Sequence, residues 1–137
     1  MNKLNNHTDL GDVLIRSDLN VPIINNEITD KFRISKSINI INSIYESSRT
    51  ITFTSHLGRP NNSDPNFSLI KIADAMSELL DNEKVMFIDA IHGSKVEEAI
   101  KNQKSKIFLL ENLRFDEGEI NNSLDFAANV TKPFQTY

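Results

Sequence analysis

The segment Arg49–Pro60, RTITFTSHLGRP, changes character halfway along. RTITFTS is rich in β-branched and aromatic residues and reads as a strand. Beyond it, His56, Gly58, Arg59 and Pro60 put an imidazole, a backbone without Cβ, a guanidinium and a rigid ring within five residues. A buried strand is thus followed at once by turn-forming and cationic chemistry. Such a junction is expected where an α/β sheet presents a ligand site, because ligands bind beyond the carboxyl ends of the strands. The neighbouring segments decide whether this chain builds such a sheet.

Upstream, DVLIRSDLNVP (12–22) is an apolar, β-branched run closing in turn chemistry at Asn20 and Pro22. TDKFRISKSINIINSIYESS (29–48) follows, where Ile34, Ile38, Ile41 and Tyr45 form one helical stripe and Thr29 or Asp30 can cap the start. Downstream, NNSDPN (61–66) is a loop. SLIKIADAMSELL (68–80) predicts a helix capped by Ser68, with Leu69, Ile72, Met76 and Leu79 or Leu80 facing inward. KVMFIDA (84–90) predicts a strand, and SKVEEAIKNQ (94–103) a helix opened by a Ser94/Glu97 capping box. KIFLLENLRF (106–115) predicts a fourth strand, and NSLDFAANV (122–130) begins a fourth helix.

Strand and helix alternate four times with short joins. That order predicts an α/β fold: a three-layer α/β/α, Rossmann-like parallel sheet with right-handed crossovers. At TKPFQTY (131–137) a further strand is due, so the sheet is expected to be incomplete on its C-terminal side.

Composition narrows the function. The 137 residues carry a net charge of −4 with no polybasic tract, which disfavours nucleic acid and anionic membrane as partners. There is no cysteine, hence no disulfide or thiolate metal site, and this fits a reducing cytoplasm. No apolar run approaches the length of a membrane span. The sequence has no GxxxxGK[ST] or GxGxxG phosphate cradle, no paired-histidine zinc motif and no GxSxG elbow. No metal site is expected.

The strand ends carry the chemistry. Asp18 and Asn20 follow the first, His56 and Arg59 the second, Asp89 and His92 the third, and Glu111, Asn112 and Arg114 the fourth. Arg33 lies in the first turn of the first helix, where a cation opposes the helix dipole. Such a breach of a local rule often marks a functional site. Arg33, His56, Arg59 and Arg114 are expected to surround one anion, since guanidinium binds phosphate through paired N–H donors. Asp18 can accept from a substrate hydroxyl, and Asn20 can donate or accept. Gly58 lets backbone approach a ligand or takes a positive φ. Asp89 and His92 read as structural, and His7 is assigned no role.

VLIRSDLNVP, ITDKFRI, TSHLGRP and LLENLRF occur in the order and approximate spacing of the phosphoglycerate kinase family, which this chain resembles from about Asp12 to Val130. The resemblance implies a truncated N-terminal, substrate-binding domain (1–137) of a two-domain kinase, with the nucleotide-binding domain absent. It implies reversible phosphoryl transfer between 3-phosphoglycerate with ATP and 1,3-bisphosphoglycerate with ADP. Mg-ATP or Mg-ADP would be bound by the missing domain, and no cofactor by these residues.

Motif by motif, Asp18 and Asn20 resemble contacts to the hydroxyl and carboxyl end. Arg33 resembles the catalytic arginine on the phosphoryl group in transit. His56 and Arg59 resemble the pair on the non-transferring phosphate, with Leu57 and Gly58 lining that turn, and Arg114 resembles another arginine there. Leu19 stands where the family usually has Phe. The family's first strand is central, so here it is expected to show a bare edge. The family is typically monomeric and glycolytic, and the chain alone is expected to be inactive. The alternative is a non-catalytic module that binds phosphorylated carboxylic acids.

Overall fold

The computed structural model describes residues 9–137. In chain order it contains strands β1 (Gly11–Arg16), β2 (Ile23–Ile24) and β3 (Glu27–Ile28), helices α1 (Phe32–Ile38) and α2 (Ile41–Ile44), and strand β4 (Ser48–Thr54). Then come α3 (Ile70–Leu79), β5 (Val85–Ile88), α4 (Ser94–Lys101), β6 (Ile107–Leu110), α5 (Glu117–Ile120) and α6 (Leu124–Thr131). The main sheet has the order β1–β4–β6–β5, and every pairing in it is parallel.

The sheet is covered on both faces, which is why β6 reads as an unbroken apolar run. Its alternate side chains go opposite ways. Ile107 and Leu109 join Ile34, Ile38, Ile41 and Ile44 of α1 and α2, and Ile72 and Met76 of α3, in one core. Phe108 and Leu110 join Val96 and Ile100 of α4 and Val130 of α6 in the other. From β1 through β4 to β5 the chain crosses the sheet one way, with α1, α2 and α3 on the first face. It then returns to β6 with α4 on the second. Reversing direction and face together keeps every crossover right-handed. The predicted three-layer α/β/α architecture is therefore present.

Several local expectations differ. The run 29–48 forms two short helices, α1 and α2, rather than one. Asp30 does serve the start of α1: its carboxylate accepts from the Phe32 amide at 2.9 Å. Thr29 instead leans on the Pro22 carbonyl. At α3, Leu80 packs inward and Leu79 is exposed. The Ser94/Glu97 capping box does not form. Gly93 occupies the capping position, no side chain caps the helix, and the Glu97 amide bonds the Gly93 carbonyl at 3.0 Å. Ser94 is already helical there, one residue too far along to fold its hydroxyl back. The fourth strand ends at Leu110, and Leu113–Phe115 form a 3-10 turn.

The outer edge of β1 is not bare along its first half. Val13 and Thr136 form a parallel bridge. The Gln135 amide bonds the Asp12 carbonyl, and the Leu14 amide bonds the Thr136 carbonyl, each at 2.9 Å. Among the described residues no helix is long and apolar enough to cross a membrane.

Candidate functional site

Helix α3, which follows β4, lies on one face of the sheet, whereas the chain after β6 leads to α6 on the other. Neighbouring strands whose continuations diverge leave a crevice at their carboxyl ends, a topological switch point. Here it opens between the loop after β4, which holds SHLGRP, and the loop after β6, which holds ENLRF.

Two buried polar side chains hold this crevice in shape. Asn112 is fully buried (0% exposed). Its Oδ1 accepts from the Leu57 and Arg114 amides at 3.2 and 3.0 Å, and its Nδ2 donates to the Leu57 and Phe67 carbonyls at 2.8 and 2.9 Å. Glu111 accepts from the Ser68 hydroxyl at 2.7 Å and from the Leu69 and Asn112 amides at 2.9 and 2.7 Å. A carboxylate from the end of β6 thus serves the start of α3, where sequence reading assigned Ser68. Ser68 contributes only a 3.3 Å acceptor contact to the Ile70 amide. Both residues sit at a strand end, as expected, but they face the fold rather than the crevice.

Gly58 joins the two halves of the site. Its amide donates to Asn20 Oδ1 at 3.0 Å, and its carbonyl accepts from Arg114 Nη1 at 2.6 Å. Its φ is +58°, and a Cβ here would lie 2.4 Å from the Phe67 ring. Only glycine fits this turn without strain. The Leu57 side chain, expected to line the site, is buried in the core, so Leu57 serves the turn through its backbone. Leu19 is likewise buried, and its amide donates to Ser55 Oγ at 3.0 Å.

The four predicted cations fall into two connected groups. Arg59 and Arg114 line a cleft of about 470 Å³ together with Pro60, Glu119 and Ile120. Arg33 does not line it. Its Nη1 pairs with the Asp18 carboxylate at 3.1 Å and donates to the Asn20 carbonyl at 3.1 Å. Asp18, Asn20 and Arg33 therefore form one patch, tied through Gly58 to the cleft of Arg59 and Arg114. His56 is not among the residues lining this cleft, but it feels the charges of both groups. Burial pushes its pKa below the ordinary histidine value, Arg114 and Arg16 lower it further, and Glu119 and Asp18 pull the other way. His56 is accordingly neutral near pH 7.

Sequence reading missed Arg16 and Glu119. Arg16 closes β1 at its carboxyl end, and its Nη2 donates to Glu119 Oε1 at 2.9 Å. Glu119 Oε2 stands 3.9 Å from Arg114 Nε. The position of Arg16 as the last residue of a strand was the available signal. Asp89 and His92 stand apart: His92 contacts Asp116 at 3.3 Å, beside the cap of α5. His7 lies outside the described residues.

The arrangement is a cationic cleft flanked by a carboxylate and an amide. It suits a small anion whose phosphate enters between Arg59 and Arg114 and whose hydroxyl or carboxylate groups reach toward Asp18 and Asn20.

Comparison with known proteins agrees with this fold. The family profile for phosphoglycerate kinase matches residues 5–137. A phosphoglycerate kinase of Wolbachia sp. subsp. Drosophila simulans is 43% identical over 126 residues, covering 91% of this chain and 31% of that protein. The Thermosipho africanus phosphoglycerate kinase is 43% identical over 117 residues, covering 84% and 29%. The solved phosphoglycerate kinase of Coxiella burnetii superposes with a TM-score of 0.71 at 28% identity over 93% of this chain and 31% of that one. The enzyme from Pyrococcus horikoshii gives 0.75 at 28% identity over 98% and 35%. The chain belongs to the phosphoglycerate kinase family and spans about a third of the length of these relatives.

Proposed function

We propose that this member of the phosphoglycerate kinase family binds 3-phosphoglycerate and 1,3-bisphosphoglycerate at the β4–β6 crevice, as the N-terminal, substrate-binding part of a two-domain glycolytic kinase of the cytoplasm. The observation that carries the reading is the placement of Arg59 and Arg114 in one cleft, bonded through Gly58 to the Asn20, Asp18 and Arg33 patch. Arg59, Arg114 and His56 hold the non-transferring phosphate. Asp18 and Asn20 meet the hydroxyl and carboxyl end. Arg33 compensates charge on the phosphoryl group in transit, a role that needs positioning and electrostatics rather than covalent help.

Arg33 is free to do so at small cost. Its side chain is 53% exposed and that of Asp18 62%, and an exposed pair of this kind is worth about 0.2–1 kcal/mol. The acceptor carboxylate is already ionised, so no residue here must act as a general base. The nucleotide substrate is a different matter. In this reading Mg-ATP or Mg-ADP is held by groups outside these residues, the substrate-binding part acts as a monomer, and alone it does not turn over ATP.

Calorimetric titration with 3-phosphoglycerate tests this. Arg59→Ala or Arg114→Ala should each weaken binding by about 2–3 kcal/mol, the scale of hydrogen bonds to a charged group. Affinity unchanged in both variants would refute the phosphate assignment.

A further inference from the structure

We infer that Glu119 is the internal counter-ion of this anion cleft, a carboxylate that competes with the incoming phosphate for Arg114 and so sets how tightly the cleft holds its ligand. The inference rests on the reading of the cleft given above.

The placement of Glu119 is fixed by its own turn. Asp116 opens α5, accepting from the Gly118 amide at 2.7 Å, and the Glu119 amide bonds the Asp116 carbonyl at 3.2 Å. Gly118 presses this turn onto α6, since a Cβ there would stand 2.6 Å from Phe126 Cβ. The carboxylate so aimed is only 11% exposed, yet it lines the same cleft as Arg59 and Arg114. One oxygen holds Arg16 at 2.9 Å and the other lies 3.9 Å from Arg114. Within the fold these guanidiniums therefore already have an anionic neighbour.

Arg114 is independently anchored by its bond to the Gly58 carbonyl. It does not need Glu119 to stay in place, so the charge of Glu119 acts mainly against the ligand. A phosphate entering the cleft to reach Arg114 meets a negative charge a few ångströms from that guanidinium. Coulomb repulsion at that range is appreciable at a half-buried site even after solvent screening.

The test is Glu119→Gln, which keeps size and an acceptor oxygen but removes the charge. The variant is expected to bind inorganic phosphate and 3-phosphoglycerate about tenfold more tightly, the order expected for removing one partly screened charge several ångströms from the ligand. A second readout needs no ligand. Arg114 and Arg16 lower the His56 pKa, while Glu119 and Asp18 raise it. The His56 titration followed by NMR should therefore move to lower pH in the variant, which loss of a purely structural contact would not produce. A third uses the wild type: its Glu119 carboxyl carbon signal should shift with the same midpoint as phosphate binding.

Equal or weaker anion binding by Glu119→Gln overturns the inference. Should the variant not fold, a Glu119 signal unmoved at saturating phosphate overturns it equally. Wild-type binding that is lost in Arg59→Ala and Arg114→Ala, beside an unchanged Glu119→Gln, defeats only this inference. No binding of either anion by the wild type defeats the phosphoglycerate reading and this inference with it.

Discussion

Replacing Asn112 should loosen the crevice more than replacing any of the arginines. The amide makes four hydrogen bonds, two to the backbone of Leu57. In Asn112→Ala the buried N–H and C=O of Leu57 both lose their partner, and each stranded buried group costs about 1–3 kcal/mol. The Phe67 carbonyl and the Arg114 amide are only part-buried, and water reaches them at less cost. The vacated space also admits some solvent, so the lower half of the range applies, and the variant should lose about 3 kcal/mol. Asn112→Asp separates geometry from charge. Its carboxylate keeps both acceptor roles but turns an oxygen against the Leu57 and Phe67 carbonyls at a fully buried position. That oxygen is accommodated only when protonated, so the new carboxyl titrates higher in the fold than in the unfolded chain. The unfolded chain then releases its proton first, and stability falls as pH rises above about 4. Urea unfolding monitored by circular dichroism, at pH 5 and pH 8, gives both quantities. A loss below about 1 kcal/mol for Asn112→Ala, within the ordinary range of surface changes, would refute the reasoning. So would an Asn112→Asp variant as stable at pH 8 as at pH 5.

Gly58→Ala should cost about 2–4 kcal/mol, combining a left-handed φ with the displacement of the Phe67 ring, and a wild-type thermal melt would contradict it. His56 makes stability depend on pH in a stated direction: because its folded pKa is lowered, its effect is absent above the unfolded value near 6.5 and grows as a loss of stability below it. His56→Gln should therefore flatten part of the decline between pH 6.5 and 5 seen by urea unfolding, and an identical pH profile would exclude the effect.

The layers were legible because each depends on local repetition. IFLL at 107–110 has no polar partner on either face, which only a strand covered on both sides accepts. The stripe Ile34, Ile38 and Ile41 is buried as its spacing required. The β2–β3 hairpin was overlooked, although IINNEI carries its signal. Asn25 and Asn26 have φ of +49° and +69°, the left-handed pair of a type I′ turn, and Asn tolerates that region better than most residues. The capping box failed for a different reason. S-x-x-E looks the same whether Ser is the cap or the first helical residue, and here the preceding glycine takes the cap. Glu111 serving α3 from 42 residues away, and Glu119 reaching Arg16 from 103, leave no local trace. A sequence shows where charges are, and the fold decides which ones meet.

The energies also separate scaffold from ligand contact within one loop pair. Asn112 and Glu111 are buried, and their bonds end on backbone that has no other partner, so breaking them strands polar groups. Arg33–Asp18 joins side chains that are both more than half exposed. Water can replace a lost partner at such a position, so this pair is exchangeable at a cost of about 1 kcal/mol or less. A phosphate that accepts several charge-assisted bonds offers more than that. The crevice can thus keep its backbone fixed while Arg33 changes partners. A cleft whose arginines were instead locked by fully buried pairs could not take up its ligand without unfolding part of the turn, and that difference follows from burial alone.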